Sequence, residues 1–299
     1  MKILTAGMSG LLGRALISEL RRCGHQVLRL VRQSDEILTS EEFFWDAASL
    51  GSWIGAVEES DAIVNFSGEP IDKKPWTSRQ KKEIVDSRIR STRVLVQAME
   101  RAKKRPTLFL NASAIGNYGD RNEELLDERS ACGAGFLAEV CDRWEVEAFR
   151  ARTLGIRVAA LRSGVVLAAK GGVLARLIPL FKAGLGGNIG TGFQFFGWIH
   201  IRDHVNATLA ILNQETYSGA INLVAPKPSR MGDLTRRLAT SLRRPHFLPC
   251  PSWALKGMLG ERADLFLGSQ RVSPKRLMDG GFAFAFPDLE SALKDLLHP

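Results

Sequence analysis

The first 31 residues constrain the fold more than any other part of the chain. Lys2-Ile-Leu-Thr-Ala6 reads as a short buried strand that runs into Gly7-Met-Ser-Gly10-Leu-Leu-Gly13. Beyond it, Leu11, Leu12, Ala15, Leu16 and Leu20 recur at helical spacing up to Cys23, and Gly24 stands where a helix stops. Val27 to Val31 is a second strand. Two strands joined by so short a helical connection lie parallel, through a right-handed crossover. The glycines have separate tasks. Gly7 permits the tight strand-to-helix turn, Gly10 lets the backbone approach a diphosphate, and Gly13 lets the helix pack on the strand. The amides around Ser9, Leu11 and Leu12, with the positive end of the helix, then face the phosphates. A turn used only for packing would not need strand, turn, helix and strand in this order.

The second strand ends Leu30-Val31-Arg32-Gln33, and no carboxylate follows until Asp35. A site for NAD usually places Asp or Glu there to accept from the ribose 2′-hydroxyl. Arg32 instead offers a planar, charged fork suited to a 2′-phosphate. The spacing therefore favours NADP(H) over NAD, against the alternative of a surface arginine.

Alternation continues along the chain. Strands are expected at Ala62–Asn65, Leu108–Asn111 and Ile156–Leu161, and helices at Trp76–Arg101 and Phe136–Leu154. This is the pattern of an α/β protein, a parallel sheet covered by helices on both faces. A dinucleotide-binding domain is expected over 1–165, with a strand returning near 193–224. Residues 166–299 form a mixed substrate-side part that includes a C-terminal module from about 245 to 299.

Lys and Arg exceed Asp and Glu by 41 to 32, giving +9. The basic residues are scattered in pairs such as Lys81-Lys82 and Arg243-Arg244. No aromatic-interleaved basic motif or zinc-finger spacing points to nucleic acid. No run of about 18 apolar residues suggests a membrane span. Cys23, Cys132, Cys141 and Cys250 stand alone, as reduced thiols would in a cytoplasmic setting, and no metal-ligand spacing is present.

A longer set of residues is distinctive: Asn65-Phe-Ser-Gly68-Glu-Pro-Ile71, Trp76, Lys82, Ser87-Arg88, Thr92, Ala112-Ser-Ala-Ile-Gly116 and Tyr118-Gly119. Trp144-Glu145, Arg162 to Leu167, Trp198-Ile-His200, Gly260-Glu261, Gln270-Arg271-Val272 and Gly281-Phe282 continue it. With the glycine turn, these resemble the short-chain dehydrogenase/reductase superfamily, in its extended, epimerase-like branch. The likeness is closest to an atypical NAD(P)-dependent family of unknown substrate with its own C-terminal module. The resemblance covers nearly the whole chain. It implies a doubly wound Rossmann sheet, a cofactor contacted also by Asn65, Ser67 and Gly68, and hydride chemistry on a small carbonyl or sugar-like substrate.

That superfamily transfers a proton through Tyr-x-x-x-Lys, the lysine lowering the phenol's pKa from about 10. Only two tyrosines exist here; four residues after Tyr118 stands Asn122, and four after Tyr217 stands Ile221. Aligned on Glu145, the pair falls on Leu137 and Cys141. Ser113 and Tyr118 are the remaining catalytic candidates, each with a structural alternative. Glu69, Arg88 and His200 are candidates for the substrate side, against a surface place for Glu69, a helix-packing or solvated role for Arg88 and a satisfied structural role for His200; Lys82 and Ser87 lie on the same helix as Arg88. Arg202 replaces an acidic residue often present in the family, placing charge either near the pocket or on the surface. Two functions stay open: an NADP(H)-dependent oxidoreductase or epimerase-like enzyme, and a sensor or scaffold that keeps the cofactor but not catalysis. The segment Phe193–Trp198 suits either a pocket wall or the seam of a homodimer.

Overall fold

A computed structural model describes residues 1–32 and 39–297. Asp35 and Gln33 lie outside the described residues. The strands are β1 (Lys2–Ala6), β2 (Gln26–Val31), β3 (Glu42–Phe44), β4 (Ala62–Asn65), β5 (Leu108–Ala114), β6 (Leu125–Leu126) and β7 (Arg157–Ser163). They continue as β8 (Val165–Leu167), β9 (Phe195–Phe196), β10 (Trp198–His200), β11 (Gly219–Leu223), β12 (Ser229–Arg230) and β13 (Arg271–Val272). Seven form one sheet in the order β11-β7-β5-β4-β1-β2-β3, and every pair in it is parallel. The chain moves outward from β1 to β3, then crosses back to β4. The order therefore reverses between β1 and β4, and open α/β sheets take ligands beyond the strand ends at such a point.

Period-two side-chain alternation explains both faces. Ile3, Val27, Val64, Leu110 and Leu161 pack on one face, beneath α1 (Leu11–Arg22) and, further along the chain, the helix over Ile201–Asn213. Leu4, Leu28, Ile63, Phe109 and Val158 pack on the other. They lie beneath α2 (Ile54–Glu58), α3 (Ser78–Arg101) and α4 (Phe136–Phe149). In α3 the side chain of Thr77 accepts from the amide of Gln80 and starts the helix.

Several boundaries differ from expectation: α3 starts at Ser78 rather than Trp76, α4 ends at Phe149 with a 3-10 turn over Arg150–Leu154, and β7 runs Arg157–Ser163. β5 runs on to Ala114 because β7 continues beside it, pairing Ser113 with Arg162. Of the returning segment near 193–224, only β11 joins the main sheet; β9 and β10 pair with β12 and β8 instead. The intervening helix α6 (Ile201–Asn213) follows α5 (Gly172–Lys182).

Later elements are α7 (Met231–Ser241), α8 (Ser252–Leu259), α9 (Asp264–Leu267), α10 (Lys275–Asp279) and α11 (Leu289–Leu297). Leu174, Phe181, Trp198 and Leu238 share one core with Leu255, Leu289 and Leu293. The C-terminal residues thus complete the second core rather than forming one of their own. Asp203 locks them down, accepting from the amides of Ala285 and Phe286 at 2.9 Å each. Phe196 and Trp198 are buried in this core and only Phe193 of their segment is well exposed. Most of that segment is therefore neither pocket wall nor seam. Among the described residues no helix is long and apolar enough to cross a membrane.

Candidate functional site

A cleft of about 830 Å³ opens where the strand order reverses, lined by Gly7 to Ser9, Arg32, Ser67, Gly68 and one side of α3. Gly7 has φ +76°, and a Cβ there would lie 2.4 Å from the amide nitrogen of Ser67. A Cβ on Gly13 would meet the backbone of Met8 at 2.4 Å. Gly10 is different, since nothing lies within 4 Å of its added Cβ. Gly7 and Gly13 are fixed by protein contacts, and Gly10 faces open space at the start of α1. Arg14 Nη1 donates to the Ser9 carbonyl at 2.6 Å and braces the turn.

The end of β4 forms the opposite lip. Asn65 is fully buried. Its Nδ2 donates to Asn111 Oδ1 at 2.8 Å and its Oδ1 accepts from the Ser67 amide at 3.0 Å. Asn65 therefore orients the lip rather than lining the cleft. Ser67 Oγ is buried without a hydrogen-bond partner among the described residues. A buried hydroxyl left unpaired is costly, and a bound phosphate or ribose oxygen would satisfy it.

The far end of the cleft was only partly legible. Arg32 lines it as expected, but so do Arg29, Trp45, Asp46 and Ala47, with Arg79, Lys82 and Arg90 from α3. Asp46 accepts from the amides of Ala48 and Ser49 at 2.8 Å each and from the Ser49 hydroxyl. These bonds hold its carboxyl down to about 2, and they occupy both oxygens. Lys82 and Arg90 share Asp86, at 2.6 and 3.0 Å. Five cations and three carboxylates line the cleft, a balance that favours an anionic ligand.

Behind the other lip, Ser113 Oγ donates to Glu145 Oε1 at 2.6 Å. Arg162 forks the same carboxylate through Nε and Nη2, each at 2.8 Å. Its Nη1 donates to Tyr118 Oη at 3.0 Å, and Tyr118 donates to Asn222 Oδ1 at 2.8 Å. Asn222 Nδ2 closes the chain on the Ser273 carbonyl at 3.0 Å. Five side chains from β5, α4, β7, β11 and the turn after β5 thus form one buried network. Ser113 and Tyr118 stand out in the sequence as candidates, whereas Glu145 and Arg162 join them only through the fold.

Tyr118 has no solvent exposure, and burial pushes its phenol up. Its hydroxyl has partners on both sides, so the geometry gives it a structural part and does not aim it at the cleft. Leu137 and Cys141 both face Gly116. Cys141 is buried, and desolvation pushes its thiol up to about 12, so it supplies neither thiolate nor ammonium charge. No substitute for the tyrosine–lysine pair stands at those two positions.

Of the two readings open for His200, a substrate-side residue or a satisfied structural histidine, its contacts match the second. It caps α6, its Nδ1 accepting from the Arg202 amide at 3.1 Å. Its ring stacks on Phe286 at 3.7 Å, and its Nε2 lies 3.2 Å from the Asp295 carboxylate. Extended backbone followed by a helix made this a capping position, which residue type alone did not reveal. Arg202 pairs with Asp295 on the surface. Arg88 is half-buried, donating to the carbonyls of Glu69 and Ile84 at 3.0 Å each and lying 5.0 Å from the Trp144 ring. Ser87 Oγ accepts from the Glu69 amide at 2.9 Å, while the Glu69 carboxylate pairs with Lys74. Arg88 and Ser87 therefore pin the loop after Gly68. Among the described residues no three His, Cys, Asp or Glu side chains converge as a metal site.

A parallel sheet with a reversal point, a glycine turn opening a helix and a cationic cleft above it define a dinucleotide-binding protein of the doubly wound class. More specifically, the chain belongs to the NAD dependent epimerase/dehydratase family, whose profile matches residues 3–223. A domain of unknown function (DUF1731) matches residues 250–296. The chain is 39% identical over 303 residues to an epimerase family protein SDR39U1 homolog, chloroplastic, from Arabidopsis thaliana, covering 99% of this chain and 87% of that one. It is 38% identical to the epimerase family protein ML0860 of Mycobacterium leprae, covering 97% of this chain and 94% of that one. The crystal structure of human epimerase family protein SDR39U1 with NADPH superposes with a TM-score of 0.90 at 32% identity, over 99% of each chain.

Proposed function

We propose that this protein binds NADP(H) in the cleft and uses it for oxidoreduction of a small carbonyl or sugar-like compound. The observation that carries the reading is the cleft itself: open space at Gly10, an unpaired Ser67 hydroxyl and Arg32 at the far end. The relative with NADPH supports the same choice of cofactor. The α1 N-terminus and the Ser9, Leu11 and Leu12 amides would hold the diphosphate, and Arg32 the 2′-phosphate.

The dinucleotide supplies or accepts a hydride. We assign the accompanying proton to Ser113, at the carboxyl end of β5. Its own proton points to Glu145, which leaves its lone pairs for a substrate hydroxyl. That orientation would suit alcohol oxidation: the substrate O–H would give its proton to Ser113 Oγ as Ser113 passes its own to Glu145, with the hydride from the adjoining C–H taken up by the oxidised dinucleotide when it is bound.

The second reading, a cofactor-responsive sensor without turnover, is favoured by Leu137 and Cys141 at the usual catalytic pair. Single-turnover absorbance at the reduced-nicotinamide band, across a library of alcohols and carbonyls, separates the two. Ser113→Ala is expected to slow that step by about 10² to 10⁴ with cofactor affinity intact; unchanged rates would remove Ser113 from the chemistry, and no turnover with any compound would favour the sensor.

Cofactor choice is tested separately by calorimetry. Arg32→Ala is expected to weaken NADPH by about tenfold to a hundredfold and to leave NADH nearly untouched. Equal losses for both would refute the role given to Arg32.

A further inference from the structure

The charge of +9 is not spread evenly. From Ala148 to Arg202 and from Leu234 to Gly260 the sequence has no Asp or Glu at all. The fold packs these two stretches together: Leu174, Leu177 and Phe181 share a core with Leu234, Leu238 and Leu255. The loop after α7 lies on the loop after α5, with the amides of Phe247 and Leu248 both donating to the Gly186 carbonyl, at 3.1 and 3.0 Å. The Cys250 amide then donates to the Asn188 carbonyl at 2.8 Å, leading into α8.

This strip carries large apolar side chains in water. Trp253 is 78% exposed and Phe247 70%, and Leu180, Leu185 and Leu248, on the same two packed stretches, are about half exposed. The cations among them, Lys182, Arg243, Arg244 and Lys256, have no ion-pair partner among the described residues. Isolated exposed apolar residues need no explanation, but a group of them on one strip marks an interaction surface.

We infer that this strip is a docking surface for an anionic phospholipid bilayer. The sign of the charge selects the partner. A second copy of the chain would bring the same cations face to face. An acidic protein partner would normally meet a rim patterned in both signs, which sets register, and this strip offers only one. A lipid headgroup layer needs no register: it attracts Lys and Arg together, while Trp, Phe and Leu enter the headgroup–acyl boundary. The side chains project from two turns and from the helices α5 and α8, so they reach a surface without any opening of the core. The expectation that the chain has no membrane span is untouched, since the contact is peripheral.

The test uses the full chain with vesicles of phosphatidylcholine alone or mixed with phosphatidylglycerol. Flotation is expected with the mixed vesicles only, weakening as salt is raised. Phe247→Glu with Trp253→Glu should reduce it by about tenfold or more. Val146→Glu, at an exposed apolar residue of α4 outside the strip, should leave flotation unchanged, and NADPH titration checks that each variant is folded. Flotation absent from the mixed vesicles, or equal with neutral ones, overturns the inference. So does retention on polyglutamate without flotation, which would assign the strip to an acidic protein. A dimer of the wild type that dissociates in the double variant would assign it to a second copy.

Discussion

Arg162→Met is expected to destabilise the protein by about 3 to 5 kcal/mol, the usual result of removing one partner from a buried ion pair. Arg162 and Glu145 keep side-chain exposures of only 10% and 6%. The guanidinium satisfies both oxygens of Glu145 and one side of the Tyr118 hydroxyl. Without it, the carboxylate would retain the Ser113 hydroxyl as its side-chain donor. Methionine fills much of the volume, so the loss reads as stranded charge more than as a cavity. For a chain of this size the melting temperature should fall by roughly 10 °C, measured by calorimetry. Glu145→Gln in the same chain should restore more than half of that loss, because a neutral amide tolerates burial better than a lone carboxylate. A single variant that melts like the parent would mean the network contributes little to stability. A double variant no better than the single would trace the loss to packing.

The parts of the fold that the sequence makes legible are those set by local pattern. The run from Lys2 through the glycines to Val31 encodes strand, turn, helix and strand within about thirty residues, and the apolar strands from Ala62 onward repeat the unit. Local pattern does not encode what meets across the sheet. Tyr118 and Asn222 are 104 residues apart, and neither residue type announces the other. His200 illustrates the same limit from the opposite side. A histidine after Phe-Gly-Trp-Ile suits a substrate-side place or a structural one equally by local pattern, and the choice rests on Phe286 and Asp295 from the far end of the chain. Arg32 was readable because the strand end fixes its position; Trp45 and Asp46 were not, because the short β3 that delivers them carries little periodic signal. The family resemblance supplied what periodicity lacked. It marks Ser113, Glu145 and Arg162 as belonging to one pattern, although only the fold joins them in a chain of hydrogen bonds.

Gly7 and Gly10 of the turn should give separable results, and the contrast between them is the sharpest test of the cleft. Gly7→Ala places a methyl 2.4 Å from the Ser67 nitrogen and 2.5 Å from the Phe66 carbonyl carbon, at φ +76°. Both obstacles are backbone, so the end of β4 must move away from β1. Left-handed strain costs about 1 to 2 kcal/mol, and overpacking adds about 1 to 3, so Gly7→Ala should lower stability as well as cofactor affinity. Gly10→Ala meets nothing within 4 Å, and its extended backbone, φ −76° and ψ 176°, is open to alanine. Its stability should stay within about 1 kcal/mol of the parent. Its methyl nevertheless stands in the space through which a diphosphate reaches the first amides of α1, so NADPH affinity should drop by about a hundredfold or more. Denaturant unfolding and calorimetry on the same samples check both halves. If Gly10→Ala binds NADPH normally, the diphosphate does not approach α1 there. If Gly7→Ala is as stable as the parent, the contact between the ends of β1 and β4 is looser than the packing requires. Loss of binding in a variant that keeps its fold separates phosphate recognition from the architecture that presents it.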